Sequence, residues 1–131
     1  MSMHTIKFDI KPMAKGRPRF SGHAYTPKET RLYEQKIRAI ALESGVEALD
    51  GDLGVRLIFV YTATKKVANR LQRHEVVYKE SRPDIDNLCK GVLDALNGVL
   101  YQDDSRIVNL SAVKVYGYSD CIYLVIWNIR K

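Results

Sequence analysis

Apolar and polar residues alternate from the start of the chain. In Thr5 to Ile10, the side chains of Ile6, Phe8 and Ile10 fall on one side, the period-two signature of a strand. The next run, "KPMAKGRPRF", holds Pro12, Gly16 and Pro18, which forbid a regular helix and predict an ordered loop or extended arm. "TPKE" supplies a helix start, with Thr26 as N-cap, Pro27 at the first helical position and Glu29 closing a capping box. That helix runs to about Ser44 and stops at Gly45. Tyr33, Ile37, Ile40 and Ala41 form its buried stripe, and Lys28, Arg31, Glu34, Lys36 and Arg38 face water or a partner. Leu53 to Tyr61 is apolar almost throughout, with Arg56 the exception, and reads as a central strand. From Thr62 to Arg82 the pattern dissolves, and a short helix or strand within an irregular connection is expected there. Ile85, Leu88, Val92, Leu96 and Val99 return to helical spacing. Ile107 to Tyr116 and Cys121 to Ile129 are two further strands, joined by "GYSD" as an expected hairpin.

This order of elements predicts an α/β (α+β) fold. A small single domain over residues 1–131 carries a mixed β-sheet with two main helices packed on it. The length suffices for a core without disulfides or structural zinc. Hydrophobic residues make up 46% and charged residues 27%, a balance that excludes a disordered chain, and no continuous apolar run suggests a membrane span. Cys89 and Cys121 have no CxxC spacing and read as small core residues of a reducing cytoplasm; no export signal is visible.

Charge changes the picture most. There are 21 Lys and Arg against 15 Asp and Glu, a formal net charge of +6, which favours a polyanionic partner, nucleic acid first. Against that background, "RPDIDNLCKGVLDALNGVLYQDD" gathers Asp84, Asp86, Asp94, Asp103 and Asp104, a third of all the acids. Asp84 precedes Asp86 by two residues of extended chain, so both carboxylates point to one side, and Lys90 lies one helical turn after Asp86. Asn97 and Gly98 stop the helix. The twelve steps from Asp86 to Gly98 rise roughly 18 Å, and the six steps back to Asp104 span at most roughly 20 Å, so Asp104 can reach the first turn. Three carboxylates sharing a site call for a cation, and hard oxygen ligands suit Mg²⁺, with Mn²⁺ as a substitute. With a lysine beside it, such an ion outlines phosphodiester hydrolysis. The plainer reading stays open at this point: Asp86, Lys90 and Asp94 as an i,i+4 charge ladder worth roughly 0.2 to 0.5 kcal/mol per pair, Asp84 as a cap, and Asp103 and Asp104 as turn residues.

"RPDIDNLCKGVLDAL" followed by "YQDD" resembles the RusA-type Holliday junction resolvases, endodeoxyribonucleases with an Asp-x-Asp-Asn-Leu-x-Lys run and a downstream Asp pair. "KPMAKGRPRF" resembles the basic arm of many members. The resemblance implies a small mixed α/β domain acting as a homodimer on four-way DNA junctions. It also implies Asp84, Asp86 and Asp104 as metal ligands, Lys90 as the essential lysine, and Asn87, Asp94 and Asp103 in support. The expected phosphate contacts are Lys15, Arg17, Arg19, Lys65, Lys66, Arg70, Arg73 and Arg82. The segment 62–82 has no clear counterpart in the family pattern. Two competitors follow from the same residues: a nuclease of relaxed branched-DNA specificity, and a noncatalytic DNA-binding protein. No membrane and no small-molecule cofactor are expected.

Overall fold

The computed structural model describes residues 3–15 and 27–130. Its elements are strand β1 (Met3–Phe8), helix α1 (Pro27–Glu43), strand β2 (Leu53–Thr62), helix α2 (Lys65–Gln72), helix α3 (Ile85–Ala95), and strands β3 (Ile107–Gly117) and β4 (Cys121–Asn128). A short 3₁₀ turn, Asp104–Arg106, leads into β3. The expected N-cap, Thr26, and the arm residues Arg17 and Arg19 lie outside the described residues.

The four strands form one mixed sheet in the order β1-β4-β2-β3. Here the structure corrects the sequence reading, because β3 and β4 are not a hairpin. β3 pairs with β2 in parallel, and β4 inserts antiparallel between β1 and β2. The "GYSD" connection instead passes over the end of β2, where Thr62 donates from its amide and hydroxyl to Asp120 Oδ1 at 2.8 and 3.0 Å and the Ala63 amide donates to the Gly117 carbonyl. The physical reason lies in β2. Its near-continuous apolar run makes it a central strand that needs partners on both sides, and a parallel pairing with β3 requires a long crossover, supplied by α2 and α3.

One face of the sheet carries the core. Leu53, Val55, Leu57, Phe59 and Tyr61 of β2 pack with Ile6 and Phe8 of β1, with Ile122, Leu124 and Ile126 of β4, and with Tyr33, Ile37 and Ala41 of α1. The exception in β2, Arg56, falls on the alternate face and is exposed. As the helical spacing requires, Leu88, Val92 and Leu96 are fully buried. β1 ends at Phe8 rather than Ile10, and the 62–82 connection contains, as expected, a short helix, the eight-residue α2, with no buried residue.

What happens after α3 positions the site. Gly98, at φ +79°, turns the chain back, and its amide donates to the Tyr101 carbonyl at 2.8 Å. Tyr101 is completely buried, and its hydroxyl donates to the Leu93 carbonyl at 2.7 Å. This ties the returning chain to the third turn of α3, so Asp103 and Asp104 come back beside the helix they left. Removing that hydroxyl in Tyr101→Phe should lower the unfolding free energy by about 1 kcal/mol in urea titration. An unchanged midpoint would show that the bond does not hold the return.

Candidate active site

Asp84 occupies the N-cap of α3 in extended geometry (φ −70°, ψ 140°), yet its side chain makes no capping hydrogen bond. The first turn is served locally instead: the Asn87 amide donates to Asp86 Oδ1 at 2.9 Å. One turn on, Lys90 is about half exposed, and its Nζ lies 3.4 Å from Asp94 Oδ2, the lower half of the expected ladder. Asp94 holds a second cation too, Lys15 Nζ at 3.6 Å, which in turn lies 3.5 Å from Glu34 of α1.

Asp86, Lys90 and Asp104 face one cleft of about 490 Å³, whose remaining wall is Ile85, Cys89, Leu93, Leu110 and Ala112. The pattern and the return of the chain therefore bring together three of the four residues expected to act. Asp84 stands just outside that wall, at the head of the helix. The electrostatics of Asp104 record the crowding. Partial burial raises its pKa first, the Asp94 carboxylate within hydrogen-bonding reach raises it further, the charges of Asp103 and Asp94 add, and Lys90 opposes. Asp94, expected only in support, is thus the hub joining Lys90, Lys15 and Asp104.

Asp103 does something different. It caps the 3₁₀ turn, accepting the Ser105 amide at 3.0 Å on Oδ2, and the hydrogen bonds from Ser105 hold its pKa below the usual carboxylate range. Asn87 offers its carbonyl to the Lys15 amide at 3.0 Å, which docks the root of the basic arm along α3. The approach is close because residue 91 is glycine: a Cβ there would lie 3.2 Å from the Met13 carbonyl and 3.5 Å from the Lys15 amide. Lys15, expected as a phosphate contact, is engaged by Glu34 and Asp94 in this arrangement. Among the other basic candidates, Arg70 and Arg73 lie 2.8 and 3.8 Å from Glu75, while Lys65, Lys66 and Arg82 are exposed. Cys89 sits in the cleft wall, but burial, aided by the Asp86 charge, pushes its thiol up to about 11, so it is no nucleophile at neutral pH.

A lysine that sequence reasoning overlooked is Lys114, on β3. Its Nζ donates to the Ser81 and Pro83 carbonyls, both at 2.8 Å, across the loop that delivers Asp84. The available signal was one charge inside the otherwise uncharged "IVNLSAVKVYG".

The two carboxylates on the cleft, Asp86 and Asp104, offer hard oxygen ligands, and the nearby charges of Asp103 and Asp94 add to burial in raising the pKa of Asp104, so the site suits a hard divalent cation in kind. Among the described residues no three His, Cys, Asp or Glu side chains are grouped closely enough to hold a metal ion. What Asp86 and Asp104 offer is an open pair, the sort that Mg²⁺ completes with water and substrate oxygens. Among the described residues no helix is long and apolar enough to cross a membrane.

A basic α+β domain with carboxylates and a lysine on one cleft has the charge and the groups that suit a phosphate backbone as partner. Comparison with known families is specific: the model for the family described as "Endodeoxyribonuclease RusA" matches residues 9–126, and this chain belongs to that family of endodeoxyribonucleases. It is also 31% identical over 140 residues to the uncharacterized protein YqaN of Bacillus subtilis (strain 168), with 97% of this chain and 99% of that protein covered.

The sign of the Asp104 shift gives a test of the site's electrostatics. A carboxyl whose pKa is raised by folding favours the folded state fully below the ordinary carboxylate range, and that contribution is lost as pH rises through the raised value. At pH 7 with EDTA present, Asp104→Asn should therefore raise the Tm. Near pH 3, where Asp104 is protonated, the gain should vanish. A lower Tm at pH 7, or an equal gain at both pH values, would contradict the assigned crowding.

Proposed function

We propose that this protein is a Mg²⁺-dependent, homodimeric endonuclease that resolves four-way DNA junctions by paired nicks on opposed strands. The observation that carries this reading is the convergence of Asp86, Lys90 and Asp104 on one cleft beside Asp84, in a member of an endodeoxyribonuclease family whose net charge is +6. Asp84, Asp86 and Asp104 would hold the ion, with Mn²⁺ able to replace it. Bound there, it would supply Lewis-acid activation of water and of the scissile phosphate oxygens.

Each of the chain's own groups has a role in this scheme. Lys90 stabilises negative charge as it develops on the phosphate or on the leaving 3′ oxygen. Asp94 holds Lys90 at the cleft edge, and Asp103 fixes the turn that presents Asp104. Lys65, Lys66 and Arg82 contact phosphates, together with Arg17, Arg19 and, through its place at the root of the arm, Lys15. Arg70 and Arg73 contribute less, because Glu75 shares their charge. A junction has two-fold symmetry, so a two-fold dimer with two identical sites matches its pair of opposed strands. A DNA substrate and two free, buried cysteines, Cys89 and Cys121, fit the cytoplasm as its place of action.

Asp86→Asn should lower the rate of nicking of a synthetic four-way junction in Mg²⁺ by about 100-fold or more while junction binding stays intact. Retained cleavage sinks the role given to Asp86. Equal cutting of four-way, flap and linear DNA by the unaltered protein would favour the relaxed-specificity nuclease. Binding should also weaken steeply with salt, and replacing Lys65 and Lys66 by Ala should reduce the log–log salt slope by about 1 to 2. An unchanged slope would remove α2 from the DNA surface.

A further inference from the structure

We infer that Lys114 is a positioning residue that fixes Asp84 relative to Asp104, an inference that rests, for its link to metal and DNA, on the nuclease reading above. On β3 the register partner of Lys114 is Phe59, a fully buried residue, so the lysine enters from the helix-covered face of the sheet. There its Nζ donates to the carbonyls of Ser81 and Pro83 at 2.8 Å each. Lys79 braces the same loop on the same face: its Nζ is 2.7 Å from Ser81 Oγ and sits 5.0 and 5.5 Å from the ring centroids of Tyr61 and Tyr116. Backbone bonds from the Lys79 amide to the Lys114 carbonyl and from the Tyr116 amide to the Val77 carbonyl sew the approach to this loop onto β3.

β3 is thus the common frame of the site. It emerges directly from the turn that carries Asp104, and its middle holds the carbonyl of the residue immediately before Asp84. The Asp84 side chain makes no capping bond; its carbonyl accepts the Leu88 amide at 3.2 Å and anchors the residue to α3 on one side, and the grip on the preceding residues fixes it on the other. An ammonium at the centre of two carbonyls is a firmer anchor than a neutral donor, since charge-assisted hydrogen bonds are roughly twice as strong. Residues that orient a ligand from behind in this way tune metal affinity by about 10- to 100-fold.

The test uses the full chain and two readouts that do not need DNA cleavage. In metal-free protein, Lys114→Met should raise amide hydrogen exchange at residues 84–88 by about 10-fold, and Lys114→Arg, which keeps charged donors, should restore most of the protection. In calorimetric titration with Mn²⁺ alone, Lys114→Met should weaken binding by about 10-fold. Asp84→Asn should weaken it as well, and the double variant should be no weaker than Asp84→Asn, because the lysine acts through that aspartate. Junction affinity in EDTA should stay within about two-fold of the unaltered protein. Unchanged exchange at 84–88, unchanged Mn²⁺ binding, losses that simply add to those of Asp84→Asn, or a selective fall in junction affinity would each overturn the inference. The exchange measurement needs neither metal nor DNA, so it stands or falls apart from the nuclease reading, which fails instead if the unaltered protein cuts no junction.

Discussion

Asp104 is separated from Asp86 by a whole helix and a reversal of the chain, and everything the cleft can do depends on closing that distance. The closure rests on Tyr101, buried without remainder, with its hydroxyl on the Leu93 carbonyl. Burial of so large a ring is favourable, but a phenol cannot be sealed from water without a partner, and the one within reach is a carbonyl of α3 itself. The constraint therefore sets both the position and the direction of the return. It also has an electrostatic consequence. Burial and the nearby charges of Asp104, Asp94 and Asp103 push the Tyr101 hydroxyl well above its ordinary pKa, so it remains a neutral donor.

The acids so gathered repel one another, and the structure answers this in two ways. Asp94 is flanked by Lys90 and Lys15, and Asp103 is absorbed by the amide of Ser105. Asp104 is left with burial and like charge, which is why its carboxyl is the one held above its ordinary pKa. A carboxyl so placed, in a cleft with a lysine beside it, is a candidate for function on physical grounds. The plain charge ladder is present as Lys90–Asp94, but it accounts for neither the cleft shared with Asp86 nor the state of Asp104.

Much of this was legible in the sequence, for identifiable reasons. Helical spacing of Leu88, Val92 and Leu96 located α3 and its core face, and the Asn97-Gly98 stop with the short run to Asp104 made the closure foreseeable. The apolar run of β2, broken only at Arg56, marked a central strand. The strand order was not legible, because "GYSD" has the composition of a tight turn while its Asp120 in fact bridges the end of β2. Nor could periodicity show that Lys114 reaches back to a loop some thirty residues earlier, or that Lys15 lies on Asp94: both contacts depend on tertiary placement rather than local pattern. Nor does spacing alone show that two lysines and a second carboxylate meet at Asp94.

In a chain with excess positive charge, the acids of α3 and the turn before β3 make sense as the place where a cation lets a basic surface cut the backbone it binds. The most direct measurement of that claim is incubation of the unaltered protein with a synthetic four-way junction, with and without Mg²⁺, and mapping of the products to the nucleotide. The account predicts nicks at symmetric positions on two opposed strands, formed only with the divalent ion. Binding of the junction with no cleavage in Mg²⁺ or Mn²⁺ would contradict it.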